Sequence, residues 1–512
     1  MHEIELKLQV PVARLAEVEA AVAGRTPTPR LRLRLQAAYH DTADRRLATA
    51  GLALRLRREG RRWVQTLKGA GDDGGMTRLE HNVARGAGAA MPALDPALHA
   101  GTPVGERLLV RLAAPPAAPL DVLYRTDIRR RTRALLVRVA GLPQARVELA
   151  FDRGRIQVGA QAIEVGELEI ELLAGPTRAL IEAARRWLAR FGLWLDVRSK
   201  AERGDLLARG ERVAPPRGAR PLRLDSKMNA ASAWQAVLRN CADQILANAS
   251  QIASGEHTAE HVHQLRVGLR RLRSAIALFD SGAEGAGGEP ALGDAAATLF
   301  RRLGAARDRV VIESEFGAEL GAAMRAAGVP AALSPPGVPI APDTEATPTE
   351  LLREPASQTL LLDLLAAMHP AAPPADGGAE LALRDRFAAR LNHWQRQVVA
   401  DAKHHADLDD AQRHRLRKRA KRLRYATEFC AALFERRAVR RYLKALCALQ
   451  QQLGAVCDVL MALQAFAPRA AADPNAMFAL GWLAARREVL IAEAGPELKK
   501  FAKVERFWTK RG

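Results

Sequence analysis

The 512-residue sequence predicts an α+β multidomain chain, with a strand-rich first part followed by an all-helical second part. Three observations predict it. Charged and apolar residues alternate with period two in segment after segment up to about residue 207. From about residue 225 apolar residues recur at helical spacing instead, and two of the helical segments are near copies of each other.

The opening segment, His2-Glu3-Ile4-Glu5-Leu6-Lys7-Leu8, reads as a strand that puts Glu3, Glu5 and Lys7 on one face. Two ionised carboxylates about 6.6 Å apart repel by roughly 2.5 kcal/mol at an effective dielectric near 20, so this face is either wet or set against something positive. Val12–Ala23 predicts a short amphipathic helix. Tyr39-His40-Asp41-Thr42 then leads into a second strand, Leu52–Arg57, with Arg55 and Arg57 on one face and three leucines on the other. Trp63–Lys68 follows a turn at Glu59-Gly60, and a Gly-rich connection, Gly69–Gly75, leads to Arg78-Leu79-Glu80 as a hairpin. The glycines lack phosphate-loop spacing.

A Pro/Ala-rich stretch, Met91–Pro119, predicts helical excursions between strands. Asp127–Val139 is an arginine-dense strand, and Ala145–Asp152 a strand ending in a turn at Asp152-Arg153-Gly154. Gly166–Leu172 carries a second acidic row, Glu167, Glu169 and Glu171, and helix Thr177–Phe191 and Arg198-Ser199-Lys200 close the unit. Alternation alone leaves two architectures open: a sheet with one solvated face, or a closed barrel with a charged interior. In the second, basic rows bind an anion and acidic rows bind metal, since Mg²⁺ takes carboxylates together with substrate phosphate oxygens.

Five motifs stand in order: Glu3-x-Glu5-x-Lys7, Tyr39-x-Asp41-Thr42, Ala53-Leu54-Arg55-Leu56-Arg57, Thr66-Leu67-Lys68 and Glu167-x-Glu169-x-Glu171. Residues 1–207 therefore resemble the CYTH family, the triphosphate tunnel metalloenzymes. The resemblance implies an eight-stranded antiparallel β tunnel whose lumen binds a triphosphate group with a divalent metal, Mg²⁺ or Mn²⁺. It implies Glu3, Glu5, Glu169 and Glu171 as metal ligands, and Glu167, Glu169 and Glu171 as the catalytic row whose metal orients the attacking water. Lys7, Arg55, Arg57, Lys68, Arg78 and Lys200 are implied as phosphate contacts, while Glu80 and Asp152 match family positions without a settled role. One more lining arginine is implied within Arg129–Arg133 and is assigned to Arg130. Arg133 stands where the family commonly has an aromatic, and a register one residue off would turn the chosen side chain to the other face. Triphosphate hydrolysis asks for charge neutralisation and an in-line water rather than covalent catalysis.

Glu211–Asp225 is Pro- and Arg-rich and predicts a linker, placed at 208–224, before a helical unit at 225–512. There His263–Arg273 and His414–Arg424 are near copies offset by 151 positions, and Leu303-Gly304-Ala305 with Asp308 recurs as Leu453-Gly454-Ala455 with Asp458, offset by 150. The Pro-rich stretch Pro330–Pro348 falls between the repeats. On a helix, His263, Arg266, Arg270 and Arg273 share one arc of about 80°, and His414, Arg417, Lys421 and Arg424 repeat it. Like charges at i,i+3 and i,i+4 repel, so the duplicated row points to an anion-binding groove, with Asp308 and Asp458 orienting the basic groups. This half resembles the CHAD family, an α-helical domain of two repeats, which implies inorganic polyphosphate as ligand. CYTH followed by CHAD resembles the arrangement of bacterial inorganic triphosphatases.

Composition bounds the partners. Lys and Arg outnumber Asp and Glu by 78 to 57, a formal charge of +21 that calls for a polyanion. Aromatic residues make up only 4%, leaving few stacking platforms, and no nucleic-acid-reading motif occurs, so nucleic acid is disfavoured against phosphate chains. The four cysteines (Cys241, Cys430, Cys447, Cys457) lack metal spacing and predict reduced thiols. No signal peptide opens the chain, and the oiliest run, Thr359–Met368, is short and broken by Asp363, so a cytoplasmic protein is expected, without membrane attachment and with polyphosphate granules as a place of association. The expected activity is metal-dependent hydrolysis of tripolyphosphate. A non-catalytic polyphosphate-binding protein, and a CYTH enzyme acting on thiamine or nucleoside triphosphates, are the alternatives.

Overall fold

The structure, a computed structural model, describes residues 2–24, 30–71, 76–280, 290–329, 346–370 and 383–509. The chain divides into two compact units, one of Met1–Gly218 with Ala242–Leu265 and Thr349–Pro373, the other of Ala219–Cys241 with Arg266–Pro348 and Pro374–Gly512.

The first unit is built on β1 (His2–Gln9), β2 (Arg30–Asp41), β3 (Leu52–Glu59), β4 (Arg62–Ala70), β5 (Thr77–Ala87), β6 (Asp121–Val137), β7 (Ala145–Val158) and β8 (Gln161–Ala174). These pair antiparallel in the order β5-β4-β3-β2-β6-β7-β8-β1, and β1 pairs again with β5, so the sheet closes into an eight-stranded barrel. A two-residue strand, β9 (Trp194–Leu195), adds to β1.

The barrel is inverted relative to an ordinary soluble core. Its oily rows face outward under helices, and its charged rows face inward. Leu52, Leu54 and Leu67 are buried with Val104 and Leu108, beneath α2 (Arg46–Thr49) and α3 (Pro103–Leu112), which follow α1 (Leu15–Ala23) in the chain. Leu6, Leu8, Leu168 and Ile170 are likewise buried, and α4 (Thr177–Phe191) packs on β1 and β8 with Leu180, Ile181, Leu188 and Phe191 inward. Each such side chain contributes about 1.5–3 kcal/mol. With the apolar faces used outside, Arg55, Arg57 and the two glutamate rows are left to the lumen.

Two expectations need correction. Tyr39-His40-Asp41, read as an approach to the Leu52 strand, is the end of a full strand of its own, Arg30–Asp41. Its alternation ends at a bulge between Tyr39 and His40, where the register with β6 shifts. The turn expected at Asp152-Arg153-Gly154 is instead strand interior, because β7 runs on to Val158. A Cβ at Gly154 would lie 2.0 Å from the Asp127 carbonyl oxygen, so this glycine serves a close approach of two strands. Residues 72–75 of the Gly-rich connection lie outside the described residues, although β4 and β5 do pair as a hairpin.

The remaining helices are α5 (Lys200–Ala208), α6 (Ala230–Ala253), α7 (Ala259–Phe279), α8 (Pro290–Ala326), α9 (Pro348–Arg353), α10 (Pro355–Ala367), α11 (Leu383–Lys403), α12 (Asp410–Cys430), α13 (Arg436–Phe466) and α14 (Pro474–Ala502). The near-copy segments fall inside α7 and α12. In the second unit, Phe316, Leu320 and Met324 of α8 pack with Val456, Val459 and Phe466 of α13 and with Leu483 and Leu490 of α14. One helical stretch, Arg436–Arg469, is long and apolar enough to cross a bilayer by length and composition, and 56% of its most apolar part is buried inside the protein. All four cysteines are free thiols. Most of the Pro-rich stretch between the repeats lies outside the described residues, as do the side chains of Ala305 and Asp308.

Candidate active site

Strand register brings the acidic and basic rows together. Glu5 lies opposite Glu171, Lys7 opposite Glu169 and Gln9 opposite Glu167 on β1 and β8, while Asp152 faces Glu167 and Glu148 faces Glu171 on β7 and β8. On the other neighbouring strand pairs Lys68 lies opposite Glu80, Glu3 opposite Arg78, and Arg130 opposite Asp152. The lumen then contains two carboxylate clusters in different states.

The first cluster is Asp152, Glu167 and Glu169, whose ligand oxygens lie within 4.8 Å of one another. Lys200 inserts into it, 2.6 Å from Asp152 and 2.9 Å from Glu169, and also contacts Glu167. Arg130 grips Asp152 through two hydrogen bonds of 2.7 Å and touches Glu169. Arg203 pairs with Glu167, to which Gln9 donates at 3.1 Å. Three carboxylates meet three cations. Burial pushes the Glu169 carboxyl up, but Lys200 and Arg130 overcome it and hold Glu169 well below the usual carboxylate range.

Lys200 reaches this position from a helix rather than a strand. Ser199 caps α5, accepting from the Glu202 N–H while Glu202 accepts from the Ser199 N–H, so Lys200 occupies the first helical position and Arg203 follows one turn on. The helix seats against the apolar end of the lumen, where Leu207 is buried with Tyr39, Tyr124, Ile128 and Ile156. A Cβ at Gly204 would lie 2.3 Å from the Tyr124 ring, so only glycine allows this approach.

The second cluster is Glu3, Glu5, Glu80, Glu148 and Glu171. The cations that touch it are Lys68, 2.9 Å from Glu3 and 2.6 Å from Glu80, Lys7, 2.7 Å from Glu5, and Arg78, 3.0 Å from Glu5. Five carboxylates thus meet three cations. Burial, a hydrogen bond with Glu80 and repulsion from Glu5 push Glu3 up to about 8, so Glu3 and Glu80 share a proton with Glu3 as its holder. Burial, Glu148 and Glu5 also raise Glu171.

Arg55 and Arg57 complete the lining. Arg55 donates to the Tyr39 hydroxyl at 2.9 Å and lies 5.7 Å from the centre of its ring. Arg57 pairs with Glu59, yet burial and the adjacent Arg55 hold its pKa below the ordinary value. The buried Nε–H of each of these arginines has no hydrogen-bond partner among the described residues. Orphaned cationic donors of this kind call for an anion. The donor set of the second cluster is all oxygen, which suits a hard divalent cation, with one negative charge in surplus while Glu3 keeps its proton and two once a cation displaces it. The first cluster fits less well, because an ammonium already fills it.

The strand residues expected in the lumen share the inward-facing rows of the barrel and Lys200 reaches them from α5, with Arg130 directed inward and its neighbour Arg131 paired with Glu19 of α1 at 3.0 Å. Arg203, Gln9 and Glu148 belong to the lining and were not expected. Helix and strand periods carry all three: Arg203 lies three residues after Lys200 on a helix, Gln9 continues the alternation of Glu5 and Lys7, and Glu148 shares that of Asp152.

In the helical unit Arg270, Arg417 and Lys421 form a crowded cationic group. Burial, then Arg417 and Arg270, pull the Lys421 amine down to about 7. Arg417 donates to Asp458 at 3.1 Å. Arg266 lies 4.4 Å from the centre of the Phe300 ring. Arg424 is engaged with Glu428 at 2.8 Å and Gln450 at 3.1 Å, Arg273 and His414 are exposed, and His263 is half-buried on α7.

Comparisons with known proteins agree with this geometry. The CYTH domain model matches residues 1–204 and the CHAD domain model residues 236–467. An inorganic triphosphatase of Haemophilus influenzae is 28% identical over 211 residues, 40% of this chain and 55% of that protein, so the chain spans about half the length of this relative. The CHAD domain of Ricinus communis is 30% identical, covering 57% of this chain and 98% of that one with a TM-score of 0.46. A putative adenylyl cyclase of Hippeastrum, described as having a dominant triphosphatase activity, is 17% identical over 42% of this chain and 98% of its own, with a TM-score of 0.28. By sequence order and by fold, the chain belongs to the CYTH and CHAD families, a CYTH domain followed by a CHAD domain.

Proposed function

We propose that the barrel hydrolyses inorganic tripolyphosphate to pyrophosphate and phosphate with Mg²⁺ or Mn²⁺, and that the helical unit binds inorganic polyphosphate. One observation carries the first part. The closed barrel lines its lumen with Arg55 and Arg57, each with a buried Nε–H that has no partner among the described residues, and with a carboxylate cluster that reaches a surplus of two charges once Glu3 gives up its proton. A triphosphate group with one divalent ion satisfies both sides at once.

In this reading Arg55, Arg57, Arg130 and Lys68 bind and orient the phosphate oxygens, and Lys7 and Arg78 hold Glu5 in place. Glu3, Glu5 and Glu171 are the ligands, with Glu80 taking up the proton balance of Glu3. The ion supplies charge neutralisation at the phosphates and a more acidic water.

The test is phosphate release from a panel of tripolyphosphate, thiamine triphosphate and ATP, with and without each metal. Glu5→Ala and Lys68→Ala are each expected to lower the tripolyphosphate rate by about 10²-fold or more. Normal turnover in both variants would remove the tunnel assignment. Polyphosphate binding by the helical unit rests on the group of Arg270, Arg417 and Lys421. It is expected to fall sharply in Arg270→Glu with Lys421→Glu, while hydrolysis stays unchanged.

A further inference from the structure

The outer wall of the barrel carries positive charge that the lumen does not use. The register of β2 with β6 sets Arg32 opposite Arg131 and Arg34 opposite Arg129, and that of β6 with β7 sets Arg129 opposite Arg153. The alternation that sends Arg130 and Asp152 into the lumen sends these side chains out. Arg32, Arg34, Arg125, Arg129, Arg153 and Arg155 are all exposed. Like charges directly opposite one another on adjacent strands are destabilising, and here one row repeats the conflict across three strands.

The acids set among them by register are few. Asp127 is gripped by Arg34 through hydrogen bonds of 2.9 and 2.7 Å, and Glu164 stands opposite Arg155. Among the described residues, no hydrogen bond or ion pair holds Arg32, Arg125, Arg129 or Arg153. From strand rise and spacing, the patch measures about 20 Å by 10 Å.

We propose that this arginine wall is a surface site for inorganic polyphosphate, separate from the lumen and from the helical groove. Guanidinium groups pair with phosphate oxygens two at a time, and a grid of them serves a flexible chain that bears charge on every unit. The wall exposes no Trp, Tyr or Phe on which bases could stack, the Phe151 ring opposite Arg131 being buried, and a sheet face offers no element that enters a duplex groove, so the observations favour the phosphate polymer over nucleic acid.

The test uses the full chain carrying Arg270→Glu and Lys421→Glu, with end-labelled long-chain polyphosphate followed by fluorescence anisotropy across a salt series. Adding Arg129→Gln, Arg153→Gln and Arg155→Gln is expected to weaken binding at least tenfold. It should also make the salt dependence shallower by about two in log–log slope, the loss of three phosphate contacts. Tripolyphosphate hydrolysis should be unchanged in the same variant, which shows that the lumen is intact. Lysine at the same three positions should restore most of the slope. Unchanged affinity and slope in the glutamine variant would overturn the proposal, and so would duplex DNA displacing the polyphosphate at a lower phosphate concentration. If the Arg270→Glu, Lys421→Glu chain binds as tightly as the native one, the helical groove is misassigned. Loss in the wall variant would still support the wall.

Discussion

The two carboxylate clusters of the lumen come from the same kind of sequence, alternating acidic residues on antiparallel strands, yet they are neutralised to different degrees. Asp152, Glu167 and Glu169 are matched one for one by Lys200, Arg130 and Arg203. Glu3, Glu5, Glu80, Glu148 and Glu171 are not matched, and Glu3 answers by keeping a proton near neutral pH. In the balanced cluster Lys200 and Arg203 tie α5 to the carboxylates of β7 and β8. The unbalanced one favours an added cation, which is why the proposed reading places the metal there. Acidic residues in a lumen are therefore assigned by what neutralises them, not by their number.

Removing one member from each cluster should separate the two roles. Glu167→Gln strips a fully buried partner from both Lys200 and Arg203, and breaking a buried pair from one side costs about 3–5 kcal/mol. Thermal unfolding of the barrel should shift down by several degrees, with or without metal. Glu3→Gln replaces a carboxyl that is largely protonated already, so it should change stability by less than about 1 kcal/mol. Its effect should fall on metal-dependent hydrolysis instead, about 10²-fold in rate. Equal losses of stability in the two variants would erase the distinction.

The pH dependence sharpens the same contrast. The pKa of Glu3 is raised from 4.5 to about 8, so the protonated acid stabilises the metal-free barrel at low pH. That contribution is fully present below the free-acid value and is lost as pH rises through about 8. A divalent ion competes with this proton, so apparent Mg²⁺ affinity should climb by up to tenfold per unit between pH 6 and 8 and then level off. The added thermal stability from Mg²⁺ should be largest above pH 8. Glu3→Gln should flatten both curves, as read by metal titration with a thermal-shift readout. A slope that survives in Glu3→Gln would place the proton on another carboxylate.

The charged rows were legible in the sequence because a strand reports side-chain direction with period two. Glu3 and Glu5, Arg55 and Arg57, and Glu167 to Glu171 fall on shared faces by spacing alone. The state of each row was not legible. Lys7 meets Glu169 and Gln9 meets Glu167 only through the register of β1 on β8, and register is a property of the pair rather than of either strand. Lys200 and Arg203 enter the balance from α5, whose capping box is readable at Ser199 and Glu202 but whose docking depends on Gly204 against Tyr124. Asp152 looked like a strand end because Gly154 follows it, when that glycine marks a close crossing with β6. The duplicated helical row was visible in full, but the packing that leaves Arg424 engaged with Glu428 and Lys421 crowded by Arg270 was not.

The helical unit offers the mirror image of the Glu3 cluster, and the smallest of the expected effects. There the crowding is cationic, and Lys421 relieves it by lowering its own pKa to about 7, so the folded unit gains stability as pH rises from about 7 towards the free-lysine value. A bound polyanion would reverse the crowding and restore the ammonium. Polyphosphate binding at pH 8 should then take up close to one proton, falling to almost none at pH 6, measured by calorimetry in buffers of different ionisation enthalpy. Lys421→Arg keeps the charge at every pH and should abolish the uptake while retaining affinity. Lys421→Met should abolish the uptake and weaken binding several-fold. Persistence of the uptake in Lys421→Arg would move the proton to another group, with His414 on the same helix a candidate, since burial and then Lys418, Arg417 and Lys421 lower its pKa. The acid and base clusters would then no longer be two instances of one device, a surplus of like charge held ready for its counterion.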